Sequence, residues 1–328
     1  MLWLWMVAAV ILLIFAGAYV CWRMAFFVSP RERGKLLPLP ASEQYAPFAE
    51  LSSQMLQAAV ALPYEDIWTV SREGLRLHGK YYAGAPGAPV QIMFHGYRSS
   101  AERDFCGGLQ AAIHGGFHIL LVDQRAHGES EGSCLTFGVK ERFDCLCWAE
   151  YAAERFGPDC SIFLYGMSMG AATVLMAAAL PLPRQVVGIV ADCGYSAPSD
   201  ILRKVIRDRG LPCFPVYGLL RLGAGLFGRF DPEEASPRAA LEQCSLPVLL
   251  IHGGDDRFVP CEMSRENFRH CAAENKRLLI VPGAGHGISY LLDSRGYLRA
   301  LTDFTESILH WRPDMGSGFP EGVAPPVM

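Results

Sequence analysis

From Leu2 to Trp22 the chain carries no charged side chain. About 20 apolar residues are what an α-helix needs to cross the hydrocarbon core of a bilayer, so residues 1–23 read as a transmembrane anchor. A cleaved signal would open on positive charge and carry a shorter apolar stretch, and neither is found here. Trp3, Trp5 and Trp22 fall near the two ends of the span, where interfacial aromatic residues collect. Arg23, Arg31, Arg33 and Lys35 all follow it, which by the positive-inside bias directs the rest of the chain to the cytoplasm as a single-pass protein.

Residues 24–62 form a second region. Val28 to Pro40 mixes proline with charge and reads as a juxtamembrane linker. Ser42 to Ala61 places Leu51, Met55 and Ala59 at helical spacing, a helix lying on the following domain. Ile67–Val70 and Leu75–Tyr82 flank the turn Arg72-Glu73-Gly74 and predict an antiparallel hairpin. The pattern then changes to short apolar runs at Val90–Phe94, His118–Val122, Ser161–Tyr165, Val186–Ala191, Pro247–Ile251 and Arg277–Val281, separated by helix-length segments. Alternation of this kind predicts a doubly wound, mostly parallel sheet whose strands are covered on both faces, hence continuously apolar. One large α/β domain over residues 63–312 is the reading.

The interval between Cys193 and Ser245 is too long for a plain connection. Its apolar stripes, Ile201, Val205 and Ile206 and then Val216, Leu219, Leu220, Leu222 and Leu226, predict a helical cap over about 194–245, inserted before the strand at Pro247. After Trp311 the chain turns Gly- and Pro-rich, and residues 313–328 are expected to be a disordered tail. A net charge of -4 and scattered basic residues leave no footprint for nucleic acid. The 11 cysteines contain no CxxC pair, and Cys145 and Cys147 point to different faces of one predicted helix, so free thiols are expected rather than a metal site or a disulfide framework.

Gly166-Met167-Ser168-Met169-Gly170 sits between a predicted strand and a small-residue helix, the context in which a GxSxG match carries a nucleophile on a strained turn. Glycines two positions either side leave room for the turn, and the amide of Met169, at the helix start, faces a developing oxyanion. A serine hydroxyl needs a base and a group to orient it. His286, in Gly283-Ala284-Gly285-His286-Gly287 after the last strand, is the base, and Asp256, in the loop after Ile251, is the favoured acid. Asp255 beside it and Asp192, at the end of an earlier strand, remain as alternatives. Phe94-His95-Gly96-Tyr97 follows another strand and offers the Tyr97 amide as the second oxyanion donor. His95 reads as structural, and the Asp123 to Ser130 segment as a brace of charge-assisted hydrogen bonds.

Taken together, the HGY loop, DQRAHGES, GMSMG, HGGDDRFVP and GAGHG resemble the α/β-hydrolase superfamily, in particular membrane-anchored bacterial serine hydrolases near its serine aminopeptidase and lysophospholipase-like branches. The resemblance runs from about Glu65 to Trp311. It implies the α/β-hydrolase fold, the triad Ser168, Asp256 and His286, and an oxyanion hole from the Tyr97 and Met169 amides. It departs at Ala126, where relatives carry glycine. No cofactor or metal is expected.

The expected activity is hydrolysis of an acyl ester, as a carboxylesterase or monoacyl-lipid hydrolase acting on a small ester or lipid. Phe214, Leu219, Leu220, Leu226 and Phe227 of the cap suit an acyl chain. An aminopeptidase-like enzyme would need acidic groups near Ser168, for which Glu233 and Glu234 are the candidates, and a non-catalytic binding protein on the same fold is the reading from another class.

Overall fold

The computed structural model describes residues 1–31, 33 and 43–309. Lys35, most of the expected linker and the 313–328 tail lie outside the described residues. Eight strands form one sheet: β1 (Glu65–Val70), β2 (Arg76–Tyr82), β3 (Val90–Phe94), β4 (His118–Val122), β5 (Ile162–Met167), β6 (Val186–Asp192), β7 (Val248–Gly253) and β8 (Lys276–Val281). Their spatial order is β1-β2-β4-β3-β5-β6-β7-β8. The β1–β2 and β2–β4 pairs are antiparallel, and the remaining pairs are parallel. From β3 the chain first steps to β4 on one side and then returns to β5 on the other. The order therefore reverses between β3 and β5, and in open α/β sheets the crevice at such a reversal is where ligands bind.

The helices are α1 (Leu2–Ala25), α2 (Ala49–Val60), α3 (Ala101–His114), α4 (Glu141–Phe156), α5 (Met169–Ala177), α6 (Pro198–Asp208), α7 (Cys213–Gly223), α8 (Pro237–Leu241), α9 (Glu262–His270), α10 (Ser289–Leu292) and α11 (Ser294–Leu309), and those that pack on the sheet cover both of its faces. Alternate residues of each central strand feed opposite cores, as the two-residue period of a strand requires. Met93, Leu121 and Phe163 join Met55, Phe105, Leu109 and Phe304 under α2, α3 and α11. Ile92, Leu120 and Leu164 join Trp148, Val174 and Leu241 under α4, α5 and α8. Every residue of β3 is buried, whereas the edge strand β1 is covered on one face and buries chiefly Ile67.

The predicted strand positions agree with these elements to within two residues. The second helix begins later than expected, at Ala49, after a short 3-10 turn over Ala46–Phe48. The 194–245 interval holds α6, α7, a π-helical turn at Ala224–Gly228 and α8.

A third apolar cluster changes the picture of the N-terminus. Trp22, Phe26 and Val28 are buried with Leu135, Phe137, Met169, Tyr217, Leu220 and Phe230. Phe26 meets Phe137 and Phe230 edge to face at 5.7 and 5.0 Å. The backbone continues the attachment, because Val28 N–H donates to Ser133 O at 2.9 Å and Leu135 N–H to Phe26 O at 3.0 Å. The segment expected to start a free linker is instead part of the domain. Aromatic and β-branched residues at 26–28 signalled it, but their partners are more than a hundred residues away. α1 itself has the length and apolarity to cross a membrane.

Candidate active site

β5 ends at Met167 and α5 begins at Met169, leaving Ser168 alone on the corner with φ 55° and ψ -113°. A positive φ in a non-glycine residue costs on the order of 1–3 kcal/mol and persists only where surroundings over-determine it. Here they do. A Cβ on Gly170 would lie 1.8 Å from Phe94 O, and one on Gly166 would lie 2.2 Å from Gly170 O, so only glycines let the helix start, the corner and β3 approach this closely. The Ser168 N–H donates to Asp192 O at 2.8 Å, and its carbonyl accepts from Ala172 N–H at 3.1 Å.

Three of the predicted residues meet at the carboxyl end of the sheet. His286 Nε2 lies 3.0 Å from Ser168 Oγ, and His286 Nδ1 lies 2.7 Å from Asp256 Oδ2. A carboxylate only accepts, so the imidazole proton sits on Nδ1 and the Nε2 lone pair faces the serine hydroxyl. Asp256 is fixed from its other side, where Oδ1 accepts the Phe258 and Val259 amides, each at 2.8 Å. Burial by itself pushes this carboxyl up, but the charge of His286 and the hydrogen bonds from His252 and His286 outweigh it and hold Asp256 well below the usual carboxylate range.

The two alternative acids are elsewhere. Asp255 is exposed and contributes its backbone, its carbonyl accepting from Gln44 Nε2 at 3.0 Å. Asp192 is buried and accepts from Tyr297 Oη at 2.9 Å, with Tyr165 Oη bonded in turn to Tyr297. Burial, helped by Asp256, pushes Asp192 up to about 6.

Gly96 and Tyr97 leave β3 directly beside the corner, and a Cβ on Gly96 would stand 3.2 Å from Ser168 Cβ. The loop is held from several directions. Asp104 Oδ2 accepts the Gly96 amide at 2.6 Å, while its other oxygen accepts the Ser99 hydroxyl. His127 Nε2 accepts the Arg98 amide at 3.1 Å and its Nδ1 faces Arg125 O. Burial, reinforced by neighbouring His95, pushes His127 down to about 3, so it stays neutral and keeps the lone pair that this contact needs. The end of α1 completes the clamp: Tyr97 Oη donates to Ala25 O, and Arg98 donates to Met24 O and Phe27 O.

His95 is structural, its Nε2 accepting the Gln124 amide. The Asp123 to Ser130 segment is a brace, with Asp123 on His78 at 2.7 Å and Arg125 held by both oxygens of Asp144 and by Glu73. Ala126, the departure noted in the sequence, adopts the left-handed φ of 63° that glycine would take without strain.

Beside Ser168 lies a cavity of about 670 Å³ lined by Tyr97, Phe105, Gly107, Met167, Phe258, Tyr290 and Leu291, with Arg103 and Arg257 among its polar lining. This corrects the expectation for the cap. Phe214, Leu219, Leu220, Leu226 and Phe227 are not in that lining. Leu219 and Leu220 pack toward α1 and the third cluster, and the two phenylalanines and Leu226 are exposed, because α7 is turned to the N-terminal helix. Glu233 is held by Arg203 and Arg221 and Glu234 by Arg142, so neither is presented to the serine.

Residues that the sequence did not single out also shape the site. Phe258 stands edge-on to the His286 ring at 5.1 Å, Tyr45 Oη donates to His286 O at 2.6 Å, and His252 Nε2 approaches Asp256 Oδ2 at 3.2 Å. His252 and Phe258 had a local signal, their place in the HGGDDRFVP run, and Tyr45 had none.

The family model described as "Alpha/beta hydrolase family" matches residues 91–300. The chain belongs to the alpha/beta hydrolase family. Among curated relatives of this hydrolase, the uncharacterized protein YqkD of Bacillus subtilis is 27% identical over 194 residues, covering 59% of this chain and 63% of that protein. The lysophosphatidylserine lipase ABHD12 of Danio rerio is 26% identical over 220 residues, 62% of this chain and 51% of that one. The chain thus spans about half to two thirds of the length of these relatives. Among solved structures, the Pyrococcus furiosus esterase Pf2001 superposes with a TM-score of 0.63 at 19% identity, over 87% of this chain and 99% of that one, a likeness of fold.

Proposed function

We propose that this alpha/beta hydrolase is a membrane-anchored serine hydrolase of carboxylic esters, acting on small esters or monoacyl lipids. The observation that carries the reading is His286, set between the Ser168 hydroxyl at 3.0 Å and the Asp256 carboxylate at 2.7 Å beside a cavity. In this reading Ser168 Oγ attacks the acyl carbonyl while its proton passes to His286 Nε2. Asp256 stabilises the imidazolium, and the Tyr97 and Met169 amides receive the oxyanion. Collapse expels the alcohol, which takes the proton from His286. Water then attacks the acyl-enzyme, giving its proton to His286, and the carboxylic acid leaves as Ser168 is reprotonated.

Three things support an ester or lipid over a peptide. The cavity is lined largely by apolar and aromatic side chains, as an acyl chain prefers. Glu233 and Glu234, the acidic pair expected of an amino-terminus binder, are engaged by arginines outside the cavity, and Asp104 within it is taken by the Gly96 amide and the Ser99 hydroxyl. A relative of the chain is a lysophosphatidylserine lipase. The anchor reading rests on α1, and Arg23, Arg31 and Arg33 on its carboxyl side favour a cytoplasmic catalytic domain.

The test is fluorophosphonate labelling of the full chain in detergent beside Ser168→Ala, followed by hydrolysis of esters of increasing acyl length. Labelling and turnover that vanish in the variant are expected. A folded chain that neither labels nor turns over any ester would instead be a binding protein on this fold.

A further inference from the structure

α1 is 24 residues long, about 36 Å at 1.5 Å per residue. Not all of it is free to sit in lipid. Residues 1–16 are exposed throughout, but from Gly17 onward one face of the helix is taken by the domain. A Cβ on Gly17 would touch Leu219 at 3.2 Å, and one on Gly223 of α7 would lie 2.2 Å from Ala18 O, so the two helices meet backbone to backbone. Tyr19 meets Phe227 edge to face and Trp22 meets it at a tilt, with ring centroids 5.3 and 5.6 Å apart. The stretch before this contact, Leu2 to Ala16, is only about 22 Å long. A bilayer's hydrocarbon core is about 30 Å thick. The missing quarter, about 8 Å, has to come from the segment of α1 that α7 grips.

From this, and resting on α1 as a membrane span, we infer that the cap helix α7 and the turn after it are sunk into the same bilayer leaflet as the end of α1, as an apolar docking surface for lipid. Side chains on the outward face agree with that environment. Phe214 is 87% exposed, Leu211 46%, Leu226 45%, Leu222 39% and Phe227 38%. Several large apolar side chains left exposed along one cap segment are the mark of an interaction surface. Exposed Arg23, Arg209 and Arg229 stand at the ends of the neighbouring segments, suited to anionic headgroups. Arg221, the charged residue within α7, is neutralised by Asp231 and Glu233 at 2.6 Å each. Lipid is favoured over a second copy of the chain because the patch is continuous with a helix that has to be in lipid itself.

The experiment places p-benzoylphenylalanine at Leu12, Phe214, Leu226 or Arg72 of the full chain, one at a time, reconstitutes each protein in phosphatidylcholine–phosphatidylglycerol nanodiscs, and reads photoproducts by mass spectrometry. Expected are phospholipid adducts at positions 12, 214 and 226 and none at 72, on the exposed hairpin turn. Adducts at 12 but not at 214 and 226 overturn the inference and leave the span standing. Covalent chain-to-chain dimers at 214 or 226 assign the face to a second copy and also overturn it. No adduct at 12 means that α1 does not span, and the inference falls with that premise while leaving the hydrolase reading untouched.

Discussion

Phe26 offers the sharpest test of whether the membrane helix is a detachable tether or part of the hydrolase domain. Its side chain is fully buried between Phe137 and Phe230, and its carbonyl accepts the Leu135 amide. Truncating a buried phenylalanine to alanine costs about 3–5 kcal/mol through lost transfer energy and the cavity left behind. Each edge-to-face contact carries a further ~0.5–1.5 kcal/mol that overlaps this figure rather than adding to it. For a chain of this size about 1 kcal/mol corresponds to roughly 2–4 °C in Tm, so Phe26→Ala is expected to melt on the order of 10 °C below the unmodified chain in the same detergent. Leu12→Ala, at a site 71% exposed and touching nothing of the domain, is the control and should melt within about 2 °C. The loss should also reach the site. Tyr97 and Arg98 are tied to carbonyls at Met24, Ala25 and Phe27, so fluorophosphonate labelling of Phe26→Ala should slow at temperatures where the protein is still folded. If Phe26→Ala and Leu12→Ala melt together and label at equal rates, the segment after α1 is not structural and the argument from burial is wrong.

Asp256→Asn should lower kcat by about 10⁴ through the wrong imidazole tautomer, whereas Asp255→Asn, at an exposed side chain, should change it less than twofold, read from ester hydrolysis by the two variants. Asp192 is raised by burial from 3.8 to about 6, so the native state prefers it protonated. Its stabilising share is full below pH 4 and is lost as pH rises through 6, so Asp192→Asn gains on the parent between about pH 4 and about pH 6.5, by about 3 kcal/mol in all, seen as a Tm gap that widens over that range and then stays level to pH 8. His127 is lowered from 6.5 to about 3. The unfolded chain therefore takes up that proton first, and stability contributed by the neutral ring falls as pH drops below 6.5, a slope that His127→Gln should flatten in the same melts. Gly108 lines the cavity and a Cβ there meets no atom within 4 Å, so Gly108→Leu should fold, keep short-ester turnover and shift the chain-length optimum downward.

Much of this molecule is written locally. The continuous apolar runs gave the six parallel strands because a strand covered on both faces has no polar positions to spare. The glycines around Ser168 gave the corner because only they allow the approach to Phe94 O, and Gly285 and Gly287 marked the loop that carries His286. Other features depend on residues that meet only after the chain has folded. Which carboxylate pairs with His286 is decided by the amides of Phe258 and Val259 on Asp256, by Tyr297 on Asp192 and by the exposure of Asp255, none of which a spacing encodes. The cap stripes read as an acyl-binding surface because apolarity does not say which way a helix faces; packing of α7 against Gly17 and Ala18 turned it to the membrane helix instead. For the same reason the residues after the span looked like a linker. Their burial comes from Leu135, Phe137 and Phe230, contacts across a hundred or more positions, and only the tertiary structure brings the anchor's end onto the loop beside the serine.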